Sequence, residues 1–282
     1  MMKAHFYDIE TVLTMDSKVW IVDKTNPKAP ITKISRSDFN LIRNGIYKGQ
    51  GNSIYFGGST YWVPENLMND LKVRCKNLKI DITNLIFSMQ EYMNPDVIET
   101  LDYDINIENL VHLKNTTDDI YFICSKNTKN NYEKIIKKIE VKLENIGLTV
   151  KKYYFISDTF YSRDLDEVAH KKVRLLLQHL VGLKTEGDKF TEEELQKYDE
   201  IEFYEDDENT ISLAIDCNKL LQLIIDNSES DIKSKVKDIL KSETVLYANY
   251  VSPNKAKRFT KTKVAVEYHN LIKTFERFNW KK

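Results

Sequence analysis

Short apolar runs alternate with amphipathic stretches along much of this chain, and the alternation predicts its architecture. Ala4-His5-Phe6-Tyr7, Ile120-Tyr121-Phe122-Ile123-Cys124, residues 150–156 and Ile201-Glu202-Phe203-Tyr204 have the length of strands. The second run is apolar on both faces, as a strand buried within a parallel sheet is. Between it and the third, Tyr132, Ile135, Ile136, Ile139, Leu143 and Ile146 recur at helical spacing until Gly147. Asn130 with Glu133 resembles a capping box at the start of that helix. Leu165–Val181 has the same period and stops at Gly182. Strand, helix, strand, helix, strand predicts right-handed crossovers and a parallel sheet, hence an α/β fold.

Residues 14–115 break this regime. Lys18–Asp23 and 31–34 read as short strands, and 46–63 as a hairpin with Gly49-Gln50-Gly51-Asn52 and Gly57-Gly58 as turn residues. Those glycines match no nucleotide-binding fingerprint. Pro64-Glu65 opens a predicted helix to about Cys75, and 82–92 reads as another, stopped near Pro95. The segment is therefore predicted as an α+β insertion after the first strand. Beyond residue 215, helices are predicted over 218–226 and 231–241 and a strand over Thr244–Val251, forming a C-terminal extension (216–282) packed on the core.

Composition narrows the class without naming a function. Hydrophobic residues make up 41% of 282, and the 30% charged residues nearly balance to a net −1, which describes a globular chain and weakens sequence-independent binding to nucleic acid. Cys75, Cys124 and Cys217 are far apart, with no metal-ligand spacing, and read as free thiols of a reducing, cytoplasmic compartment. No apolar run is long enough to span a bilayer, so no membrane partner is expected.

The chemistry concentrates at strand ends. Asp8 and Glu10, two residues apart, can converge where the first strand leaves its sheet, and two such carboxylates call for a divalent cation or a shared proton. Ser125 follows the second apolar run, and Glu205-Asp206-Asp207-Glu208 follows the last. In parallel sheets ligands bind beyond the carboxyl ends of the strands, so these distant groups are predicted to meet at one rim. Lys171 and Lys172 lie on the Leu165–Val181 helix, and spacing to Leu176 and Leu180 puts Lys172 in line with its buried face.

In this order the residues resemble the haloacid dehalogenase (HAD) superfamily of aspartate-nucleophile phosphatases. That family carries a first strand ending Asp-x-Asp, a second ending in Ser or Thr, a helix-borne Lys and a last strand ending in acids. The resemblance implies a HAD-like Rossmannoid core over 1–13 and 116–215, with 14–115 as an inserted cap. It implies Asp8 as nucleophile, Glu10 as the acid that protonates the leaving group, Lys172 restraining the nucleophile and Ser125 binding a phosphoryl oxygen. Mg²⁺ would be held by Asp8, Glu205 and Asp206, and the substrate would be a phosphorylated small molecule or a nucleic-acid end. Glu10 stands where the family usually has Asp, and Val12 follows Thr11 where Gly-Thr is usual, so a catalytically inactive HAD-like binding or assembly protein is a second reading. Asp8-Ile9-Glu10-Thr11 also matches the first motif of the DEDD 3′–5′ exonucleases, although none of the later Tyr–Asp pairs has that family's spacing. Lys255, Lys257, Arg258, Lys261 and Lys263, interleaved with Phe259, could contact a phosphate backbone or serve as a solvated face.

Overall fold

The computed structural model of the chain describes residues 2–15, 17–98, 103–124, 129–156, 165–241, 244–251 and 259–266. Two compact units emerge: one of Met1–Thr14, Ile105–Lys129 and Glu133–Lys282, the other of Met15–Asp104 with Asn130–Tyr132.

The first unit is built on a six-stranded sheet. Its strands in chain order are β1 (Lys3–Asp8), β2 (Asp119–Cys124), β3 (Lys152–Phe155), β4 (Glu200–Glu205), β5 (Thr244–Val251) and β6 (Phe259–Val266). In space they run β3-β2-β1-β4-β5-β6, with every pairing parallel except β5 with β6. The expected α/β class with a mostly parallel sheet is thus observed. The helices are α1 (Lys129–Glu144), α2 (Leu165–Val181), α3 (Glu208–Ile215), α4 (Cys217–Asn227) and α5 (Ser230–Ile239). Gly147 and Gly182 stop the chain after α1 and α2 with φ of +79° and +80°, a left-handed geometry that glycine adopts without strain.

On β1, Ala4, Phe6 and Asp8 point to one face and His5 and Tyr7 to the other. Phe6 lies beside Phe203 in register, and Val173, Leu176, Leu177 and Leu180 of α2 pack with them in one core. Each such side chain contributes about 1.5–3 kcal/mol on leaving water. The opposite face is more polar. Glu202 there accepts from Lys3 and Lys261 at 2.8 and 3.0 Å and from the Tyr204 hydroxyl at 2.6 Å. Burial pushes Glu202 up, but those three donors outweigh it and hold the carboxyl at about 2. Because the folded pKa lies below the unfolded one, this stabilisation is complete above about 4.5 and is lost as pH falls towards about 2. Glu202→Gln is expected to flatten the acid limb of stability against pH, measured by urea unfolding across that range.

Several sequence expectations need correction. Within the expected C-terminal extension, Thr244–Val251 and Phe259–Val266 are two of the six sheet strands and so belong to the core sheet itself. Glu205 ends β4, whereas the predicted strand stopped at Tyr204. Helix α1 begins at Lys129, so Asn130 lies inside the helix and is not its cap. Leu183–Glu186 and Lys189–Glu194, over which no element was expected, pair as an antiparallel hairpin.

The second unit contains an antiparallel sheet ordered Asn26–Ser35, Lys18–Asp23, Leu85–Ser88, a hairpin of Asn52–Phe56 and Ser59–Val63, and helices over Arg36–Arg43 and Glu65–Leu78. The mixed α+β character expected of the insertion is present. The helix expected over 82–92 is not: after one turn at Ile82–Asn84 the chain extends as Leu85–Ser88 and pairs with Asp23–Trp20. Pairing with an existing strand overrode a local pattern that suits either state. The hairpin spans 52–63, since residues 44–51 form turns before it.

Buried Glu91 anchors this unit. Its carboxylate accepts from the Lys18 N–H at 2.5 Å, the Trp20 indole N–H at 2.6 Å and Lys33 Nζ at 2.7 Å. Glu91→Ala strands these donors and is expected to cost about 2–4 kcal/mol, read by urea denaturation.

Candidate functional site

The end of β1 is locked by its own backbone. Asp8 Oδ1 accepts the Glu10 N–H at 2.9 Å, and Thr11 Oγ1 donates to the Asp8 carbonyl at 2.7 Å. These bonds close a single helical turn over Ile9–Thr11, so the Asp8 side chain is fixed at the carboxyl end of the strand. Tyr7 is in register with Tyr204, so Glu205 lies one step further along β4, beside Asp8 and on the same face. Glu205 Oε1 accepts the N–H groups of Asp206 and Asp207 at 3.1 and 3.2 Å.

Lys172 joins the two strands. Its alkyl stem lies in the core-facing row of α2, and its ammonium donates to Glu205 Oε2 at 2.5 Å and stands 2.6 Å from Asp8 Oδ2. All three residues are buried. Burial alone would draw the lysine down, but Asp8 and Glu205 together raise it above its ordinary value, so the ammonium stays charged. Burial pushes Glu205 up, Asp8 and Asp206 add to the push, and Lys172 opposes it.

The half-buried Asp206 completes the group. Carboxylate oxygens of Asp8, Glu205 and Asp206 lie within 4.8 Å of one another. Three carboxyl groups face one ammonium here, a crowding of acids that a divalent cation would relieve. Asp8 Oδ2 is buried and ion-paired with Lys172 Nζ at 2.6 Å. Converging carboxylate oxygens of this kind suit a hard divalent cation. A cation binding here would compete with protons for Glu205, so its binding releases protons.

Of the predicted site residues, Asp8, Lys172, Glu205 and Asp206 are therefore brought together. Lys171 points away and pairs with Glu167. Asp207 caps α3, its Oδ2 accepting the Thr210 N–H and hydroxyl at 2.9 and 2.6 Å, and Glu208 opens that helix. Glu10 is half-buried in the turn, and among the described residues it is not one of the three converging acids. Ser125 lies outside the described residues, as do Lys255, Lys257 and Arg258. Lys261, on β6, is held by Glu202 and stands 4.0 Å over the Tyr247 ring. Sequence reasoning missed the Thr11 hydroxyl and the Glu10 N–H as restraints on Asp8. An Asp followed by Thr three residues on, at a strand end, is the signal that could have found them.

β1 pairs in parallel with both of its neighbours. Among the described residues no helix is long and apolar enough to cross a membrane. No protein-family model, curated protein or solved structure matches the chain.

Proposed function

We propose that the first unit is a HAD-like phosphomonoester hydrolase that works through an aspartyl-phosphate at Asp8 and requires Mg²⁺. The observation that carries this reading is the buried Lys172 bridging Asp8 and Glu205 at adjacent strand ends, with Asp206 closing the cluster. Strand order supports it too, because β1 sits between two parallel neighbours, and ligands of such sheets bind beyond the carboxyl ends of the strands.

In this reading an Asp8 carboxylate oxygen forms a bond to phosphorus as the substrate's ester P–O bond breaks. The departing oxygen takes its proton from Glu10, which sits two residues on in the turn. Water then attacks the phosphorus, Glu10 takes up its proton, the Asp8–phosphorus bond breaks, and inorganic phosphate leaves. Lys172, 2.6 Å from Asp8 Oδ2, holds the nucleophile in place. Mg²⁺, held by Asp8, Glu205 and Asp206, would supply charge neutralisation at the phosphoryl oxygens. The test is phosphate release from a panel of phosphomonoesters, including 3′- and 5′-phosphorylated oligonucleotides, with Mg²⁺ or EDTA. Mg²⁺-dependent release is expected. Folded protein that releases none would make an inactive HAD-like scaffold the better reading, and clipping of unphosphorylated 3′ ends would favour the exonuclease.

A further inference from the structure

We infer that Thr11 is a positioning residue of the Asp8 centre, its hydroxyl fixing the turn that aims the Asp8 carboxylate at phosphorus. The inference rests on the hydrolase reading and adds to it a residue that acts through Asp8. Thr11 Oγ1 donates to the Asp8 carbonyl at 2.7 Å, and the Glu10 N–H donates to Asp8 Oδ1 at 2.9 Å. One bond holds the main chain of Asp8 and the other its side chain, so a single turn sets both. That turn is short. It covers only Ile9–Thr11, and its closing bond, from the Val12 N–H to the Ile9 carbonyl, is 3.2 Å long. Such tight turns have poor hydrogen-bond geometry. Buried Ile9 and Val12 seat it, and it lies against β2 and β4. Apolar packing has no direction, whereas the shorter Thr11 bond fixes how the Asp8–Ile9 peptide is turned.

The carboxylate is held from two sides. Oδ1 is held by the turn, and Oδ2 stands 2.6 Å from the Lys172 ammonium on α2. If the Asp8–Ile9 peptide pivots, the Glu10 N–H leaves Oδ1, and the lysine alone sets the plane of the carboxylate. Glu10 rides on the same turn, so the acid of the reaction moves with the nucleophile. A displacement of about 1 Å at reacting atoms costs on the order of a hundredfold in rate. A hydroxyl that merely satisfied a carbonyl at a strand end would instead change stability and leave turnover alone. Valine keeps the shape of threonine and loses the donor, while serine keeps the donor and loses a methyl group, so the two variants separate these roles.

The test compares wild type, Thr11→Val and Thr11→Ser as full chains with Mg²⁺ on two esters. The leaving group of p-nitrophenyl phosphate departs without a proton, whereas that of glycerol 2-phosphate needs one. Thr11→Val is expected to lower kcat by roughly ten- to a hundredfold on both, with KM little changed, because the aim of Asp8 matters to both. Thr11→Ser should restore most of the rate. Hydrogen exchange at the Glu10 amide should quicken in the valine variant and return towards wild type in the serine one, a readout independent of turnover. Thr11→Ala carries the same comparison if the valine variant does not fold. Wild-type kcat in Thr11→Val, a loss that serine does not restore, a loss confined to glycerol 2-phosphate, or unchanged Glu10 exchange would each overturn the inference and leave the hydrolase reading standing. Folded wild type that releases no phosphate from these esters or from the panel above would overturn that reading, and the inference with it.

Discussion

Asp8→Asn is expected to abolish Mg²⁺-dependent phosphate release, by roughly three orders of magnitude or more, while the protein stays folded. The substitution keeps the shape of the side chain and the acceptor for the Glu10 N–H, now 2.9 Å from Oδ1. What it removes is the anionic oxygen that would form the bond to phosphorus, and with it one of three converging carboxylates. The apolar packing of Phe6, Phe203 and α2 is untouched, but the amide replaces the anionic Oδ2 that stands 2.6 Å from the buried Lys172 ammonium. Circular dichroism should therefore remain close to wild type while the unfolding midpoint shifts. An acid quench during turnover should trap a phosphoryl group on Asp8 in the wild-type protein and none in the variant. Release that survives Asp8→Asn would remove Asp8 as the nucleophile.

Lys172→Met carries the largest expected change in stability, a loss of roughly 3–5 kcal/mol without divalent metal. The thioether fills similar volume, so packing along α2 changes little, but Asp8 and Glu205 are left buried side by side without their counter-ion. Their mutual repulsion and unpaid desolvation fall wholly on the folded state. The lysine's own titration gives a second check. Its folded pKa lies above the ordinary 10.5, so its stabilisation is complete below that value and is lost as pH rises through the higher folded one. Wild type should consequently lose stability in strongly alkaline solution, and the methionine variant should lack that component. Mg²⁺ should return more stability to the variant than to the wild type, because the cation replaces the missing positive charge. A variant as stable as wild type without metal would show that Lys172 does not compensate these carboxylates.

Much of this was legible in local sequence. The apolar runs at Ala4–Tyr7 and Ile120–Cys124 and the helical period of Leu165–Val181 express the two backbone repeats, and both repeats depend only on neighbouring residues. The same period aligned Lys172 with Leu176 and Leu180, which is why its inward direction could be read while Lys171 fell outside. That Asp8 and the acids after Tyr204 share a rim followed from the strand-to-helix alternation.

Tertiary structure decided what depends on distant partners. Residues 85–88 became a strand because Lys18–Asp23 offered a pairing edge, which no local pattern announces. Two of the six sheet strands come from beyond residue 240, since pairing follows the free edge of β4 and not sequence distance. Among four consecutive acids, only geometry could separate Glu205 and Asp206, turned towards Asp8, from Asp207, which caps a helix. Charge sign and spacing are sequence properties, but which carboxylate loses its water is decided by what packs over it.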